Sequence, residues 1–279
     1  MTVAEPDHPE VADAPTGVAR PVGRHVHPDP APDVEVAARR RRAILVGHNG
    51  DAGAARDLLT DPAAPVRAAA LGALDRIART NGTDGPTTDE LAASLADPAP
   101  AVRQRALEVL AGPGRLSDPD QPGGSRRDHD DRATRLLGPL LACLGDTDHS
   151  VLEVACWTAG ELPEIAEATV DALVEVAGPT RGQGAHEDAL CREAAVAALG
   201  ALGHERGRAA VLAGLEDRPA IRRRAVLALA AFEGDDVEAA LKRALGDRDW
   251  QVQQAAEDLL GVSRASDGHD TPGLYSTTT

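Results

Sequence analysis

Two stretches decide the fold: Asp61-Pro62-Ala63-Ala64-Pro65-Val66-Arg67-Ala68-Ala69-Ala70-Leu71 and Asp97-Pro98-Ala99-Pro100-Ala101-Val102-Arg103-Gln104-Arg105-Ala106-Leu107. Each carries an acidic residue, four spacers, an apolar residue, an arginine, and then small and aliphatic residues at helical spacing. With the apolar residue as position zero, the pattern returns at Val66, Val102, Val151, Cys191, Ile221 and Val252, spaced by 36, 49, 40, 30 and 31 residues. Self-similarity at this period means stacked supersecondary units, each unable to bury its own apolar face alone.

At about 100° per residue, positions 0, +4, +8 and +11 share one arc of a helix. Val66, Ala70, Leu74 and Ile77 fill it in one copy; Cys191, Ala195, Leu199 and Leu202 fill it in another; Ile221, Ala225, Leu229 and Phe232 fill it in a third. Small residues at +4 let neighbouring helices approach closely. A shorter amphipathic helix precedes each of these, over 52–60, 88–96, 133–144, 164–177, 205–215 and 235–245. Residues 34–48 read as a leading helix, since Arg42-Ala43-Ile44-Leu45 echoes Arg224-Ala225-Val226-Leu227. No run of alternating β-branched residues suggests a strand. The expected architecture is all-α.

The acid five residues before zero is Asp61, Asp97, Asp146, Glu216 (with Asp217 beside it) or Asp247, and the spacing predicts it as a helix N-cap. Pro65, Pro100 and Pro219 suit a first helical turn. Arg67, Arg103, Arg192 and Arg222 at +1 are placed to bond the acid of the same or the next layer. Asp61, Arg67, Asp97, Arg103, Asp146, Arg192, Asp217, Arg222 and Asp247 are therefore expected to form a structural ladder that sets register between repeats.

Asp-Pro-x-x-x-Val-Arg-x-x-Ala resembles the HEAT-repeat family, particularly the short bacterial HEAT-like repeats grouped with phycobilisome lyases. The resemblance covers about 34–262. It implies a right-handed α-solenoid of about six helical hairpins plus the leading helix, the second helix of each hairpin lining the concave side. Family members range from scaffolds to enzymes, so the fold alone assigns no activity.

The chain has 279 residues, a formal charge of −16 and Lys242 as its single lysine. Its aromatics are Trp157, Trp250, Tyr275 and Phe232, so Ala, Leu and Val must fill the interior. An acidic balance argues against nucleic acid, whose binding needs a basic footprint, and against an anionic membrane surface. Residues 1–33 hold seven prolines and few large apolar side chains, and are expected to be a disordered acidic tail. Residues 263–279 read the same way, and 112–132, rich in Gly and Pro, as a flexible insertion in the array. Cys143, Cys156 and Cys191 form no CxxC pair and are expected as buried free thiols. With neither an export signal nor an apolar span, the expectation is a cytoplasmic protein.

Positions +2, +6 and +9 lie opposite the packing arc and collect Gln104, Glu108, Glu153, Trp157, Gly160, Glu193, Gly200, Arg223, Gln254 and Asp258. This stripe, with Glu161 beside it, is the expected partner-binding surface. Trp157 among glutamates has the character of an interface anchor, although packing against the adjoining layer is the simpler role for a tryptophan. The acids suggest a protein partner with basic segments.

Three chemistries compete with this reading. HEAT-like deoxyhypusine hydroxylase places His-Glu pairs near the start of second helices to hold iron. The matching slots here are Ala68-Ala69, Gln104-Arg105, Glu153-Val154, Glu193-Ala194, Arg223-Arg224 and Gln254-Ala255, so neither metal nor cofactor is expected. The lyase resemblance implies instead a factor that handles a tetrapyrrole, against which the scarcity of aromatics counts. No Ser-His-Asp set, P-loop or dinucleotide fingerprint is present. The leading expectation is a non-enzymatic scaffold, with no catalytic residue.

Overall fold

The computed structural model describes residues 34–82, 85–112, 126–178 and 184–261, with the side chains of 126–131 left aside. The expected tails at 1–33 and 263–279, and most of the insertion at 112–132, lie outside the described residues. All described residues fall in one compact unit of the chain.

Every regular element among them is helical. The leading helix α1 spans Val34–Asn49. Six hairpins follow: α2 (Ala52–Asp57) with α3 (Ala64–Asn81), α4 (Thr88–Leu95) with α5 (Pro100–Leu110), α6 (Arg126–Cys143) with α7 (His149–Gly160), α8 (Ala166–Ala177) with α9 (Ala189–Leu202), α10 (Arg208–Gly214) with α11 (Pro219–Ala228), and α12 (Asp235–Ala244) with α13 (Trp250–Leu260). Helix α6 starts at Arg126, seven residues before the expected 133, so the end of the 112–132 stretch is helical.

The second helices stack in one continuous row, α3 through α13, with α1 at its head. At every junction this row is in closer contact than the row of first helices. The odd-numbered helices therefore make up one face of the stack, the inner face. Position zero is buried in all six repeats, and so is the alanine at +4: Ala70, Ala106, Ala155, Ala195, Ala225 and Ala256. The core is therefore a seam of alanine-sized contacts flanked by Leu and Val.

Glycine at +9 tightens three junctions further. An added Cβ on Gly47 would stand 2.8 Å from Ala73 Cα, on Gly160 2.9 Å from Ala198 Cα, and on Gly200 2.5 Å from Ala228 Cβ. Position +9 is thus an interlayer contact, and Gly160 and Gly200 belong to the packing between layers as well as to the inner face. Where glycine is missing between α5 and α7, the buried Thr158 spans the layers instead, its hydroxyl donating to the Leu107 carbonyl at 3.3 Å.

The helix starts correct one expectation. The acid five residues before zero is not the N-cap; the cap lies two residues later. Asp148, Asp188 and Asp249 cap α7, α9 and α13 with their side chains. Helices α3, α5 and α11 start instead from Ala63, Ala99 and Arg218, which form no side-chain cap, and carry proline in the first turn. Proline's fixed φ and missing N–H make it a second solution to the same problem. At the other end α9 closes on Gly203, whose φ of 59° places it in the left-handed region where glycine carries no Cβ penalty.

Candidate interaction surface

The acid freed from capping is shared between two layers. Asp97 shows the arrangement: Oδ1 accepts the Ala99 N–H at 2.8 Å, while both carboxylate oxygens receive Arg67 of the preceding repeat, at 2.8 Å from Nε and 2.7 Å from Nη2. Arg67 turns its remaining Nη1 back to the Asp61 carbonyl of its own repeat, at 2.9 Å. Each arginine therefore bonds the next layer through its fork and its own layer through backbone. Arg103 joins Asp146, Arg192 joins Asp217 and Arg222 joins Asp247 in the same bidentate way. Arg39 of α1 extends the series to Asp61, so the first of the four consecutive arginines serves the ladder. In the fifth repeat the participating acid is Asp217, with Glu216 exposed beside it.

These pairs are largely screened from solvent, the Arg222 and Asp247 side chains being 6% and 16% exposed. The Arg222 guanidinium beside Asp247 holds its carboxyl below the ordinary carboxylate value, outweighing partial burial. Arg192 acts likewise on Asp217. Fixed-geometry forks of this type carry register as well as energy.

One rung is absent, and both of its members are absent together. Position +1 of α7 is Leu152, fully packed, and the acid slot before α9 is His186. His186 keeps the acid's local role, its Nδ1 accepting the Asp188 N–H at 3.1 Å. Its ring meets His149 edge-on, with centroids 4.9 Å apart, and His149 lies 3.5 Å from both Glu187 and Asp188. The junction is held instead by the close approach of Gly160 and Ala198.

The inner face carries the stripe. Glu108, Glu153, Trp157, Glu161 and Glu193 come together around one groove of about 720 Å³ over α5, α7 and α9, which Arg224 of α11 also lines, 3.5 Å from Glu193. Trp157 is 48% exposed, so it does not disappear into the adjoining layer. The floor beside it is small and apolar, formed by Ala194, Ala197 and Ala201, with Leu190 at the rim 58% exposed. The remaining stripe residues lie elsewhere on the same row. Gln104 lines a second groove on α1, α3 and α5; Arg223 lines a third with Arg224 and Gln251; Gln254 on α13 donates to Asp258 at 2.8 Å. Trp250, 69% exposed, opens the last helix.

Sequence reasoning missed a column. Trp157 and Leu227, exposed by 48% and 41%, occupy +6 of α7 and α11, and Ile44, 41% exposed, occupies it in α1, where the Arg39 rung to Asp61 sets the register one residue earlier than the Arg42–Arg224 echo. These three large apolar side chains share one repeat position, with Gly72, Glu108 and Ala197 at the same position of the helices between them. For Trp157 and Leu227 the signal lies in reading +6 separately from +2 and +9; for Ile44 it needs the register that the Arg39 rung supplies.

The three cysteines are buried and free. Burial pushes the Cys143 and Cys191 thiols up to about 11 and Cys156 higher still. Among the described residues no three His, Cys, Asp or Glu side chains gather as metal ligands, and no helix is long and apolar enough to cross a membrane.

A family model described as HEAT repeats matches residues 178–261, the last part of the array. The rest of the stack shares the register of that segment and its Arg–Asp rungs. Among solved structures, the fold is similar to the designed armadillo repeat protein YIII(Dq)4CqI, at 17% identity and a TM-score of 0.53, over 76% of this chain and 99% of that one. It is also similar to computationally designed armadillo repeat proteins for modular peptide recognition, at 16% identity and a TM-score of 0.53, over 77% of this chain and 100% of that one. At these identities the likeness concerns the fold. None of the curated proteins searched matches the chain.

Proposed function

We propose that this HEAT array is a non-enzymatic interaction scaffold that receives a protein segment along the inner face of its second helices. One observation carries the reading: Trp157 stands half-exposed in a groove rimmed by Glu108, Glu153, Glu161 and Glu193 and floored by alanines. A large rigid aromatic in a concave, partly apolar site is the side chain type that dominates interface energies. The alanine shelf offers space for a partner's side chains without a clash. The carboxylates select lysine or arginine on the partner where it crosses α7 and α9. The designed neighbours' printed role in modular peptide recognition is in keeping with this use of the fold. Three free, buried thiols suit a reducing, cytoplasmic setting.

Repeat arrays bind through extended surfaces rather than through a deep pocket, so the partner is an extended or helical segment and not a small molecule. A displayed library of random dodecapeptides, selected on the immobilised chain, tests the reading. Selected peptides should lose about 2 kcal/mol, roughly thirtyfold in affinity, in Trp157→Ala. Peptides that bind the variant as well as the parent would remove Trp157 from the account.

A further inference from the structure

The groove next along the same face has the opposite charge. It measures about 600 Å³ and runs over α1, α3 and α5, between Arg40, Arg76, Arg79 and Arg105, with Asp75 and Glu108 as its only carboxylates. This concentration of guanidinium stands out on a chain of net charge −16. Two of the four are already engaged: Arg79 pairs with Asp75 at 2.7 Å, and Arg105 pairs with Glu108. Arg40 and Arg76 are exposed, and among the described residues neither has a carboxylate within ion-pairing distance. Their helices are adjacent in the row, and the exposed Ile44 lines the same groove with Ala68, Ala69 and Gly72.

We infer that the α1–α3–α5 groove is a second subsite, for a carboxylate-rich stretch of the same partner segment. The inference rests on the scaffold reading above and deepens it by giving the partner a polarity. Aspartates and glutamates lie against α1 to α5, and basic or aliphatic residues lie against α7 and α9. The arginines belong to three successive helices, and packed helices are spaced by about 8–10 Å. The two arginines outside the Arg79–Asp75 and Arg105–Glu108 pairs, Arg40 on α1 and Arg76 on α3, stand on adjacent helices, at a spacing that neighbouring carboxylates of one segment can meet. A guanidinium can pair with a carboxylate through two parallel N–H donors, so the two exposed arginines suit Asp and Glu on a partner. Opposite charges at the two ends of one stripe also fix direction, because a reversed segment would set like charges against each other.

The dodecapeptide selection described above distinguishes the two readings when its products are measured on Arg40→Glu/Arg76→Glu and on Trp157→Ala. Both arginines are exposed, so the double variant keeps the fold, which circular dichroism verifies. The expected products carry clustered Asp and Glu toward one end, bind at least tenfold more weakly to the charge-reversal variant, and bind more weakly as salt is raised. Products that respond to Trp157→Ala but bind the charge-reversal variant unchanged overturn the subsite and leave the scaffold reading standing. Products indifferent to Trp157→Ala overturn the scaffold reading itself. Selection of uniformly basic or neutral sequences overturns the proposed polarity.

Discussion

Replacing Arg192 by methionine tests the ladder most sharply, because methionine keeps much of the apolar stem and removes only the fork. Four hydrogen bonds disappear: two to the Asp217 carboxylate at 2.8 and 2.9 Å, one to the His186 carbonyl at 2.7 Å and one to the Glu187 carbonyl at 3.0 Å. The arginine side chain is 10% exposed and its partner 24%. Charge-assisted bonds are worth about 1.5–3 kcal/mol each in isolation, but these share one guanidinium and do not add. Asp217 keeps the Arg218 N–H and some access to water, which limits the penalty for its lost partner. A net loss of about 3 kcal/mol follows, at the low end of the roughly 3–5 kcal/mol for breaking a fully buried pair. The assay is urea unfolding followed by circular dichroism. Because stability in such arrays is a sum of repeat and nearest-neighbour terms, α10 to α13 should also separate as an earlier transition. Arg192→Lys should recover less than half, since an ammonium cannot reproduce the fork. The effect has a defined pH window. Asp217 titrates below its ordinary value of 3.8, so its contribution is present above about pH 4 and is lost as pH falls through the folded value. The gap between parent and variant should narrow on acidification. A loss below about 1 kcal/mol at neutral pH, or a gap unchanged by acid, would refute the ladder's role.

Three further outcomes follow from the same geometry. Gly200→Ala gains about 1 kcal/mol of helix propensity, but its Cβ meets Ala228 at 2.5 Å; a net loss of about 1–2 kcal/mol is expected from overpacking and is readable by thermal unfolding. Leu152→Arg combined with His186→Asp should install the missing rung, with a favourable coupling of about 1.5 kcal/mol in a double-mutant cycle; zero coupling would show that Leu152 does not occupy the arginine slot. Native protein should resist a thiol reagent at pH 8, because Cys143 and Cys191 titrate near 11 and all three cysteines are buried; one fast-reacting equivalent would contradict the packing described.

What could be read from the sequence and what could not have separate causes. Position zero and +4 are filled by the same kind of residue in every copy, so periodicity alone located Val66, Ala70 and their equivalents in the core. The ladder was legible because acid and arginine keep a nearly fixed offset. Its direction was not, since Arg67 is close in sequence to Asp61 yet its side chain bonds Asp97, 30 residues on. The N-cap was misassigned because Asp61 and Asp148 are both acids just before a helix, and only the turn geometry separates them. Gly160 and Gly200 looked like open stripe because a single-helix projection has no neighbouring layer in it. On the inner face, Glu153, Trp157 and Glu193 could be chosen from the projection, whereas the gathering of Arg40, Arg76 and Arg105 depends on three helices standing side by side. The missing rung shows how paired deviations carry information: Leu152 and His186 each look like noise, and together they identify which side chains were meant to meet.

The chain's two tryptophans, Trp157 and Trp250, make a direct test possible. In a Trp250→Phe background, emission comes from Trp157 alone, which is half in water when free. Titration with a selected dodecapeptide should shift that emission to the blue and saturate at the affinity measured independently by polarisation. Saturable binding that leaves the Trp157 spectrum unchanged would mean that the partner docks elsewhere and that the inner-face groove is not the binding site.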